Sequence, residues 1–364
     1  MKVKIIHYSG FVNKIEKGEH HPRRDEDQYY FASWAGQIAR RIKNRAPYLD
    51  IEVWSADREF HKLSCRTIQG IKACVYPYNW PVLIPGSLTF QMFYNLRELS
   101  RRYLLVIHTH SVFNYYLHLF LHTFVPKARV VSSHHGGLPP DGTTIKGKLS
   151  SFLLRNSLHQ IYIGTHQNNN FKTFVNKLEN SHNFKFLPVG ADFKLFQPLH
   201  KKESRRKLKL NENTIYAIFI GKLYRLKGVD VIMDAYDKLK FKYNFKILFI
   251  GSIYERERDL YDRIKQSDCI FYGSKKHEDI PLYLSAADFY LHPIFNPSVG
   301  VDVAQIEAMA MGLPVVGSRL NTLEIDYSEL GYQVDRPGLF AYMVEKMIKN
   351  FNRFDKVRET EINY

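Results

Sequence analysis

Short apolar runs alternate with amphipathic segments along the first half of the chain. Runs rich in Val, Ile, Leu and aromatic residues predict buried strands, and they lie at residues 2–8, 51–54, 104–108, 129–133 and 160–164. Phe31, Ala35, Ile38 and Ile42 share one face of a predicted helix. Further helical patterns lie at residues 88–102, 112–124 and 146–158. Strands that alternate with helices are typical of a parallel α/β sheet, so we predict one doubly wound domain here.

The second half of the chain repeats this alternation. Its apolar runs lie at residues 216–221, 245–251, 269–273, 288–292 and 314–318. Between the two series, FLPVGADFKLFQP (186–198) has the Pro and Gly residues of an interdomain connector. We therefore predict an α/β fold of two tandem Rossmann-like, doubly wound domains, residues 1–193 and 194–338, that face each other across a cleft. Whether residues 339–364 form a helix that joins the first domain is left open.

Composition adds a charge asymmetry to this picture. The chain of 364 residues is 45% hydrophobic and 24% charged, which is ordinary for a globular protein and excludes disorder. Its formal charge is +16, of which residues 1–200, with 26 basic and 13 acidic side chains, carry +13. Such a field attracts nucleic acid, anionic lipid headgroups or sugar phosphates. Because no recognised nucleic-acid-binding motif is present, we expect no nucleic-acid partner.

Cysteine usage and hydropathy indicate the compartment. Cys65, Cys74 and Cys269 have no CxxC spacing, so we expect small buried hydrophobic residues in a reducing cytosol. The N-terminal apolar run stops at Ser9-Gly10, which predicts a strand rather than an export signal. The most apolar stretch, 103–125, is interrupted by four histidines and an asparagine, which are costly in hydrocarbon. We expect a cytoplasmic protein whose membrane contact, if it has one, is peripheral.

An aromatic series lies within the basic half of the chain. It consists of Phe113, Tyr115, Tyr116, Phe120 and Phe124. Aromatic residues beside basic ones fit contact with an anionic membrane surface, whereas aromatic residues at helical spacing also fit a core helix. Both interpretations stay open.

The strongest local motif is a strand that ends in glycine before a basic loop, IFIGKLYRLKGVDVIMDAY (218–236). Gly221 permits a tight turn and close approach of a ligand, and Gly228 begins an amphipathic helix. Lys222 and Lys227 are thereby presented beside the positive end of a helix dipole, a suitable cradle for a diphosphate. The alternative is a solvated basic loop.

A second motif is NPSVGVDVAQIEAMAMGLPVVGS (296–318), in which a loop with Gly300 leads into a small apolar helix and then a buried strand. Glu307 lies between Ile306 and Ala308. It is either a partly buried carboxylate that accepts hydrogen bonds from ribose hydroxyls or an exposed charge one turn from the core.

Together these motifs resemble those of retaining nucleotide-sugar glycosyltransferases of the GT-B fold, glycosyltransferase family 4. Gly221-Lys222-Leu223, three residues, then Lys227-Gly228 resembles the family's G-R-L-x-x-x-K-G, with lysine in place of arginine. IEAMAMGLPVV (306–316) resembles E-A-M-A-x-G-x-P-V-V. FLPVGADFKLFQP and SAADFYLHP (285–293) also resemble family segments. The resemblance covers residues 186–318 closely and residues 1–185 only in outline.

The resemblance implies roles for individual residues. Lys222 and Lys227 would neutralise the donor diphosphate, Glu307 would bind the ribose, and Gly300 would offer backbone N–H groups, with Gly221 lining the donor site. One position departs from the family, because Val299 stands where a second glutamate is usual. Asp302 is the nearest carboxylate that could replace it, or it caps the following helix.

The first domain supplies candidate histidines. VVSSHHGG (130–137) is a strand followed by a His-Gly turn, and similar family members place a histidine there against the donor sugar. His135 fits best and His134 is the alternative. The pair His108 and His110 lacks adjacent carboxylate or cysteine ligands, so a structural role is favoured over a metal site. We expect no metal and no cofactor, since lysine cations can stabilise the leaving diphosphate.

The sequence thus predicts a retaining glycosyltransferase with a nucleoside-diphosphate sugar, such as a UDP- or GDP-sugar, as donor and a glycan or lipid-linked hydroxyl as acceptor. His135, Lys222, Lys227 and Glu307 are the predicted catalytic residues. Gly221, Gly300 and Asp302 complete the predicted donor site. The alternatives are a sugar-nucleotide 2-epimerase of similar fold and a non-catalytic binding subunit, the latter motivated by Val299.

Overall fold

The chain folds into two compact units, residues 1–164 with 169–187, and residues 165–168 with 188–364. The computed structural model describes residues 2–11, 34–57, 60–77, 89–110, 115–134, 143–157, 160–163, 183–186, 190–253, 255–295, 303–318 and 331–351. Each unit contains one β-sheet with helices packed against it. The two units are the first and second domains, respectively.

The first domain is built on a sheet of eight strands in the order β3-β4-β2-β1-β5-β6-β7-β8. The strands are β1 (Val3–Phe11), β2 (Asp50–Asp57), β3 (Ser64–Ile68), β4 (Ile71–Pro77), β5 (Leu104–Thr109), β6 (Arg129–His134), β7 (Gln160–Ile163) and β8 (Asn183–Phe186). Its described helices are α1 (Trp34–Arg45), α2 (Phe90–Arg102), α3 (Tyr115–Phe124) and α4 (Ile145–Ser157). All neighbouring strands are parallel except β3 and β4. The chain order reverses between β1 and β5, which makes this pair the switch point of the sheet.

The antiparallel pair β3–β4 at the edge of this sheet corrects the cysteine prediction. Gln69 and Gly70 both have positive φ, as a two-residue hairpin turn of this kind requires. The resulting register places Cys65 directly opposite Cys74, with their Cα atoms 4.1 Å apart, and the two form a disulfide. The expectation of small buried thiols is therefore wrong for this pair, and Cys65 is also exposed. Cys269 is a free thiol.

The second domain contains a fully parallel sheet of six strands in the order β11-β10-β9-β12-β13-β14. The strands are β9 (Ile215–Ile220), β10 (Phe245–Ile250), β11 (Ile270–Gly273), β12 (Phe289–His292), β13 (Val315–Ser318) and β14 (Gly331–Val334). The helices within its described residues are α5 (Lys201–Lys207), α6 (Val229–Leu239), α7 (Arg258–Gln266), α8 (Ile280–Ala286), α9 (Val303–Ala310) and α10 (Phe340–Asn350). Here the switch point lies between β9 and β12, since the chain continues on the opposite side of β9.

Two apolar clusters fill the faces of this second sheet. Phe219, Phe249 and Phe289 alternate with Ile218 and Leu248 along the strands, so that the two sets belong to opposite clusters. The first cluster includes buried side chains of α6, α7 and α10, and the second includes those of α8 and α9. Both faces of a parallel sheet must be covered in this way.

Helix α10 lies within the segment 339–364, which the sequence does not assign to either domain. Its side chains Phe340, Val344 and Met347 are buried in the cluster that includes α6. Residues 340–350 are therefore part of the second domain's core, and residues 352–364 lie outside the described residues.

A buried ion pair ties α5, the first helix after the connector, to the second sheet. The Arg205 guanidinium donates to Asp288 Oδ2 over 2.7 Å and to the Ala286 carbonyl over 3.0 Å. The same carboxylate oxygen accepts from the backbone N–H of Tyr216, also over 2.7 Å. Lys201 forms a further ion pair with Asp288. The carboxylate is thus paired and hydrogen-bonded, as a buried charge must be.

Candidate functional site

The glycine turn after β9 forms the floor of the candidate site. Gly221 follows the strand with φ of +152° and donates to the Ile250 carbonyl over 2.9 Å. Directly after the neighbouring strand β10, Gly251, with φ of +143°, lies so close that a Cβ there would stand 1.8 Å from the Gly221 oxygen. Two glycine turns therefore pack backbone to backbone at the carboxyl ends of β9 and β10. Only residues without a side chain allow this approach.

The basic loop that follows keeps its lysines beside this turn. Lys222 and Lys227 are both half-buried. The Lys227 ammonium lies 3.1 Å from the place a Cβ on Gly221 would occupy, so it stands over the turn. Residues 225–227 form a 3₁₀ turn, and Gly228, with φ of +72°, begins helix α6. A lysine cation, a bare glycine backbone and the start of a helix are thus brought together, as an anion site requires.

The third cation of the loop is engaged by the protein itself. Arg225 pairs with Asp259, and its backbone N–H donates to Glu257 Oε2 over 2.6 Å. The bond to Asp259 holds the pKa of the Arg225 guanidinium above its ordinary value. Arg225 therefore has a structural role within the loop.

The basic-loop motif contacts the segment after β12 at the switch point of the second sheet. A Cβ on Gly228 would stand 2.0 Å from the Pro293 carbonyl oxygen, in the segment that follows β12. The start of α6 therefore packs directly against the segment after β12. Such a position, outside the carboxyl ends of parallel strands, is where ligands of open α/β sheets bind.

The sequence leaves open whether Glu307 is a buried carboxylate or an exposed charge, and the structure shows that it is buried. It lies on α9 with 6% of its surface exposed. Its Oε1 is 2.6 Å from Nε2 of His277, whose side chain is 48% exposed. The His277 ring in turn lies 5.2 Å from the ring of Phe196, in the connector. A carboxylate held by one imidazole keeps its second oxygen for other donors.

Sequence reasoning did not find His277. It lies in SKKHEDIP (274–281), where nothing in the spacing links it to a glutamate thirty residues later. The part of the chain that the structure describes does not include His135, Val299, Gly300 or Asp302. His134 is the last residue of β6, and the predictions made for its neighbours remain predictions.

The first domain brings His108 and His110 together with a third histidine. His7, on β1, is fully buried, and burial, followed by the nearby His108, lowers its pKa to about 3. The His7 ring centroid lies 4.9 Å from that of His108 and 6.0 Å from that of His110. His108 Nε2 is also 2.6 Å from Ser133 Oγ. The sequence groups two of these residues but cannot show that the third joins them.

The aromatic series is only partly described. Phe120 packs against the core, with its ring 5.5 Å from that of Phe93, whereas Phe124 is 47% exposed. Phe113 and the side chains of Tyr115 and Tyr116 lie outside the described residues. Among the helices in the described ranges, none is both long enough and apolar enough to cross a bilayer.

Comparison with solved structures defines the fold as that of GT-B glycosyltransferases, with two α/β domains and parallel sheets. Sucrose-phosphate synthase from Thermosynechococcus elongatus superposes with a TM-score of 0.69 at 16% identity, covering 96% of this chain and 91% of that one. Anabaena HepE in complex with UDP-glucose superposes with a TM-score of 0.68 at 15% identity, with the same two coverages. At these identities the likeness establishes the fold.

Sequence comparison concerns a smaller part of the chain. Residues 214–350 match the family model described as glycosyl transferases group 1. The D-inositol 3-phosphate glycosyltransferase of Corynebacterium jeikeium (strain K411) is 31% identical over 165 residues, which are 41% of this chain and 39% of that protein. The match thus spans less than half the length of this relative. The region of the family match contains Gly221, Lys222, Lys227 and Glu307.

Proposed function

We propose that the protein is a retaining glycosyltransferase that moves a sugar from a nucleoside diphosphate to a hydroxyl acceptor. The observation that carries the proposal is the glycine turn after β9, over which the Lys227 ammonium stands at the start of α6. The match of residues 214–350 to group 1 glycosyl transferases supports it. The UDP-glucose in Anabaena HepE, a protein of the same fold, favours a nucleotide sugar as donor.

The residues have the following proposed roles. Lys222 and Lys227 bind the diphosphate and stabilise the charge that develops on it as the sugar leaves. Glu307, held by His277, accepts hydrogen bonds from the ribose hydroxyls. The departing diphosphate takes the proton of the acceptor hydroxyl on the same face of the sugar, so the anomeric configuration is retained. This reaction requires no metal.

A binding titration tests the donor site. UDP-, GDP- and ADP-sugars are titrated into the wild type and into Lys222→Ala/Lys227→Ala, and we expect saturable binding of one nucleotide that the double variant loses. Lys238→Ala/Lys242→Ala, which removes two exposed lysines of the same domain, is the matched control and should bind normally. Equal losses in both variants would indicate a general charge effect and would contradict the proposed cradle.

Product analysis separates the proposal from its alternatives. Transfer to an acceptor with the donor's anomeric configuration, read by NMR, supports a retaining transferase, and the opposite configuration contradicts it. Deuterium incorporation at C2 of the donor sugar without an acceptor would identify a 2-epimerase instead. Binding without turnover that Val299→Glu converts into turnover would identify a binding subunit that has lost its activity.

We further propose that the acceptor is a glycan or a lipid-linked sugar presented at an anionic membrane surface. The excess charge of +13 within residues 1–200 favours this. Helix α4 adds an apolar stripe, because Ile145, Leu149 and Phe152, spaced by four and three residues, are 88%, 58% and 60% exposed. An exposed apolar stripe on a basic domain is typical of a peripheral membrane contact.

Vesicle sedimentation tests this membrane contact. We expect the protein to sediment with vesicles that contain phosphatidylglycerol and not with pure phosphatidylcholine vesicles. The triple variant Ile145→Ser/Leu149→Ser/Phe152→Ser should lose binding. The control Phe193→Ser/Phe241→Ser/Tyr342→Ser removes three residues of the second domain that are 69%, 90% and 61% exposed, and it should retain binding. Equal sedimentation of both variants would show that α4 is not the contact.

A further inference from the structure

Three histidines converge on one side of the first domain's sheet. His7 on β1 pairs in parallel register with His108 on β5, so both side chains lie on the same face. His110 follows His108 by two residues and therefore returns to that face. One ring nitrogen from each of the three residues lies within 4.8 Å of the others. The cluster is thus a consequence of strand register and not of sequence proximity.

His7 is buried without the partners that a buried imidazole needs. Its exposed fraction is 0%, and within the described residues neither ring nitrogen has a hydrogen-bond partner. A buried polar atom left in this state costs about 1–3 kcal/mol, and such groups in folded proteins call for an explanation, including an unseen ion. A metal ion bound to one of the nitrogens would satisfy it.

The position of the cluster also points to a ligand. β1 and β5 flank the point where the strand order of the first sheet reverses. His108 and Thr109 are the last residues of β5, so the histidines lie toward the carboxyl ends of the strands. Ligands of open α/β sheets bind outside these ends at such a switch point.

The donor set selects the class of metal. Within the described part of the chain, the group contains three imidazoles and no carboxylate or thiol. Imidazole suits zinc and its neighbours among the first-row transition metals, whereas magnesium and calcium require oxygen ligands. Three nitrogens bound to one zinc at about 2.0–2.1 Å lie about 3.3–3.4 Å apart, so binding requires the rings to approach one another by at most about 1.4 Å.

Ser133 orients one of the three rings. Its Oγ lies 2.6 Å from His108 Nε2, so Nδ1 would be the nitrogen of this ring that binds a metal. A hydrogen bond to the remaining nitrogen fixes the ring and tautomer of most metal-binding histidines. This contact extends the arrangement to a residue on the adjacent strand β6.

From this geometry we propose that His7, His108 and His110 bind one divalent ion of the zinc class, with water or another oxygen ligand in the fourth position. The site lies within the first domain and takes no part in the donor reaction proposed above. Its test therefore does not depend on sugar transfer.

The experiment uses the untagged full-length chain, treated with a chelator that is then removed, and titrates it with Co²⁺ and afterwards with Zn²⁺. We expect one Co²⁺ per chain with the visible absorption of a low-coordinate cobalt site, which Zn²⁺ displaces. The bound metal should also raise the unfolding midpoint followed by tryptophan emission. All three tryptophans, Trp34, Trp54 and Trp80, belong to the first domain.

Variants decide which residues bind the metal. His110→Ala and His7→Phe should each weaken Zn²⁺ binding by more than about a hundredfold, and Ser133→Ala by about 10–100-fold. His61→Ala removes an exposed histidine of the same domain and should bind as the wild type does. Because His7 is buried, the tryptophan emission spectrum checks that its variant folds. If the His7→Phe variant unfolds, the affinities of His110→Ala and Ser133→Ala for Zn²⁺ test the proposal.

Two results would overturn the proposal. One is a wild type that binds no stoichiometric Co²⁺ or Zn²⁺ at micromolar concentrations. The other is a His110→Ala protein that binds either ion as tightly as His61→Ala does.

Discussion

The two domains place their polar chemistry at the same topological point in different ways. In the second domain it lies just beyond the strands, in the glycine turn after β9 and the lysine above it. In the first domain it lies within the strands, as His7 and His108 on β1 and β5. The switch point is thus polar in both sheets, but a backbone turn forms one site and a register between strands forms the other.

The two domains also differ in the kinds of substitution that should lower their stability. In the second domain Gly251 packs so closely against the backbone of Gly221 that a Cβ does not fit there. The first sheet instead buries side chains that hydrogen-bond to one another, such as Thr109 with Ser132 over 2.8 Å and Lys4 with Glu52 over 2.7 Å. We therefore expect steric changes to damage the second domain most, and charge or hydrogen-bond changes to matter wherever a buried partner is left alone.

The largest effect is expected from Gly251→Ala. The new Cβ would lie 1.8 Å from the Gly221 carbonyl oxygen, which is backbone and cannot rotate away. We expect a loss of more than about 4 kcal/mol in the free energy of unfolding of the second domain. Urea unfolding followed by far-ultraviolet circular dichroism should show an early transition, while tryptophan emission, which reports only the first domain, keeps its midpoint.

Gly273→Ala is the matched control for this change. Gly273 also has positive φ, at +69°, but nothing lies within 4 Å of its Cβ position. Only the left-handed conformation then opposes the side chain, at about 1–2 kcal/mol. Equal midpoints for the two variants would refute the argument from close packing.

The next effect is expected at the buried charges. Asp288→Ala leaves the Arg205 guanidinium, 5% exposed as a residue, without its carboxylate, and we expect a loss of about 3–5 kcal/mol in the second domain. Glu52→Ala is the counterpart in the first domain. It should cost less, because Lys4 keeps Asp50 at 2.8 Å and the other bond lost, over 2.7 Å, comes from a neutral donor, the Trp54 indole N–H. Denaturant midpoints by circular dichroism and by tryptophan emission measure the two losses, and the reverse order would contradict this reasoning.

The same contrast explains how much of the fold the sequence predicts. Apolar runs identify most strands of both sheets, because parallel strands buried on two faces are continuously apolar. The hairpin β3–β4 and the short strands β8 and β14 escape prediction, since SCRTI, NFKF and GYQV carry polar residues at the sheet edges. The sequence does not predict the disulfide either, because only the register of the hairpin places the two cysteines opposite each other.

The residues of the candidate site also differ in how far the sequence predicts them. The turn at Gly221 is predictable, since the need for a residue without a side chain fixes the spacing of the motif. Glu307 is predicted as a candidate, but its burial and its partner His277 depend on how α9 packs. His7 joins His108 only through a pairing of strands about a hundred residues apart. Side chains brought together by tertiary structure leave no local signal.

A smaller effect, on function, is expected from His277→Ala. Given the proposed donor site, loss of the 2.6 Å contact frees the Glu307 carboxylate to adopt other rotamers, and the affinity for the nucleotide sugar should fall about tenfold, or about 1.4 kcal/mol. Calorimetric titration of His277→Ala, Glu307→Gln and the double variant measures the coupling. If His277 acts through Glu307, the double variant should bind no more weakly than Glu307→Gln does. Additive losses would mean that His277 acts by another route.

The smallest effect is expected from alkylation of the cysteines, which probes both domains at once. Burial raises the pKa of the Cys269 thiol to about 11, so at pH 8 only about one thiol in a thousand is the reactive thiolate. The other two cysteines are joined by a disulfide in the first domain's hairpin.

Native, unreduced protein should therefore gain no mass from iodoacetamide. In urea it should gain one adduct, at Cys269, and in urea with a reductant all three cysteines should react. Two or three adducts in urea alone would contradict the disulfide, whereas one adduct on the native protein would contradict the raised pKa of the half-buried Cys269 thiol. Intact mass spectrometry separates these results.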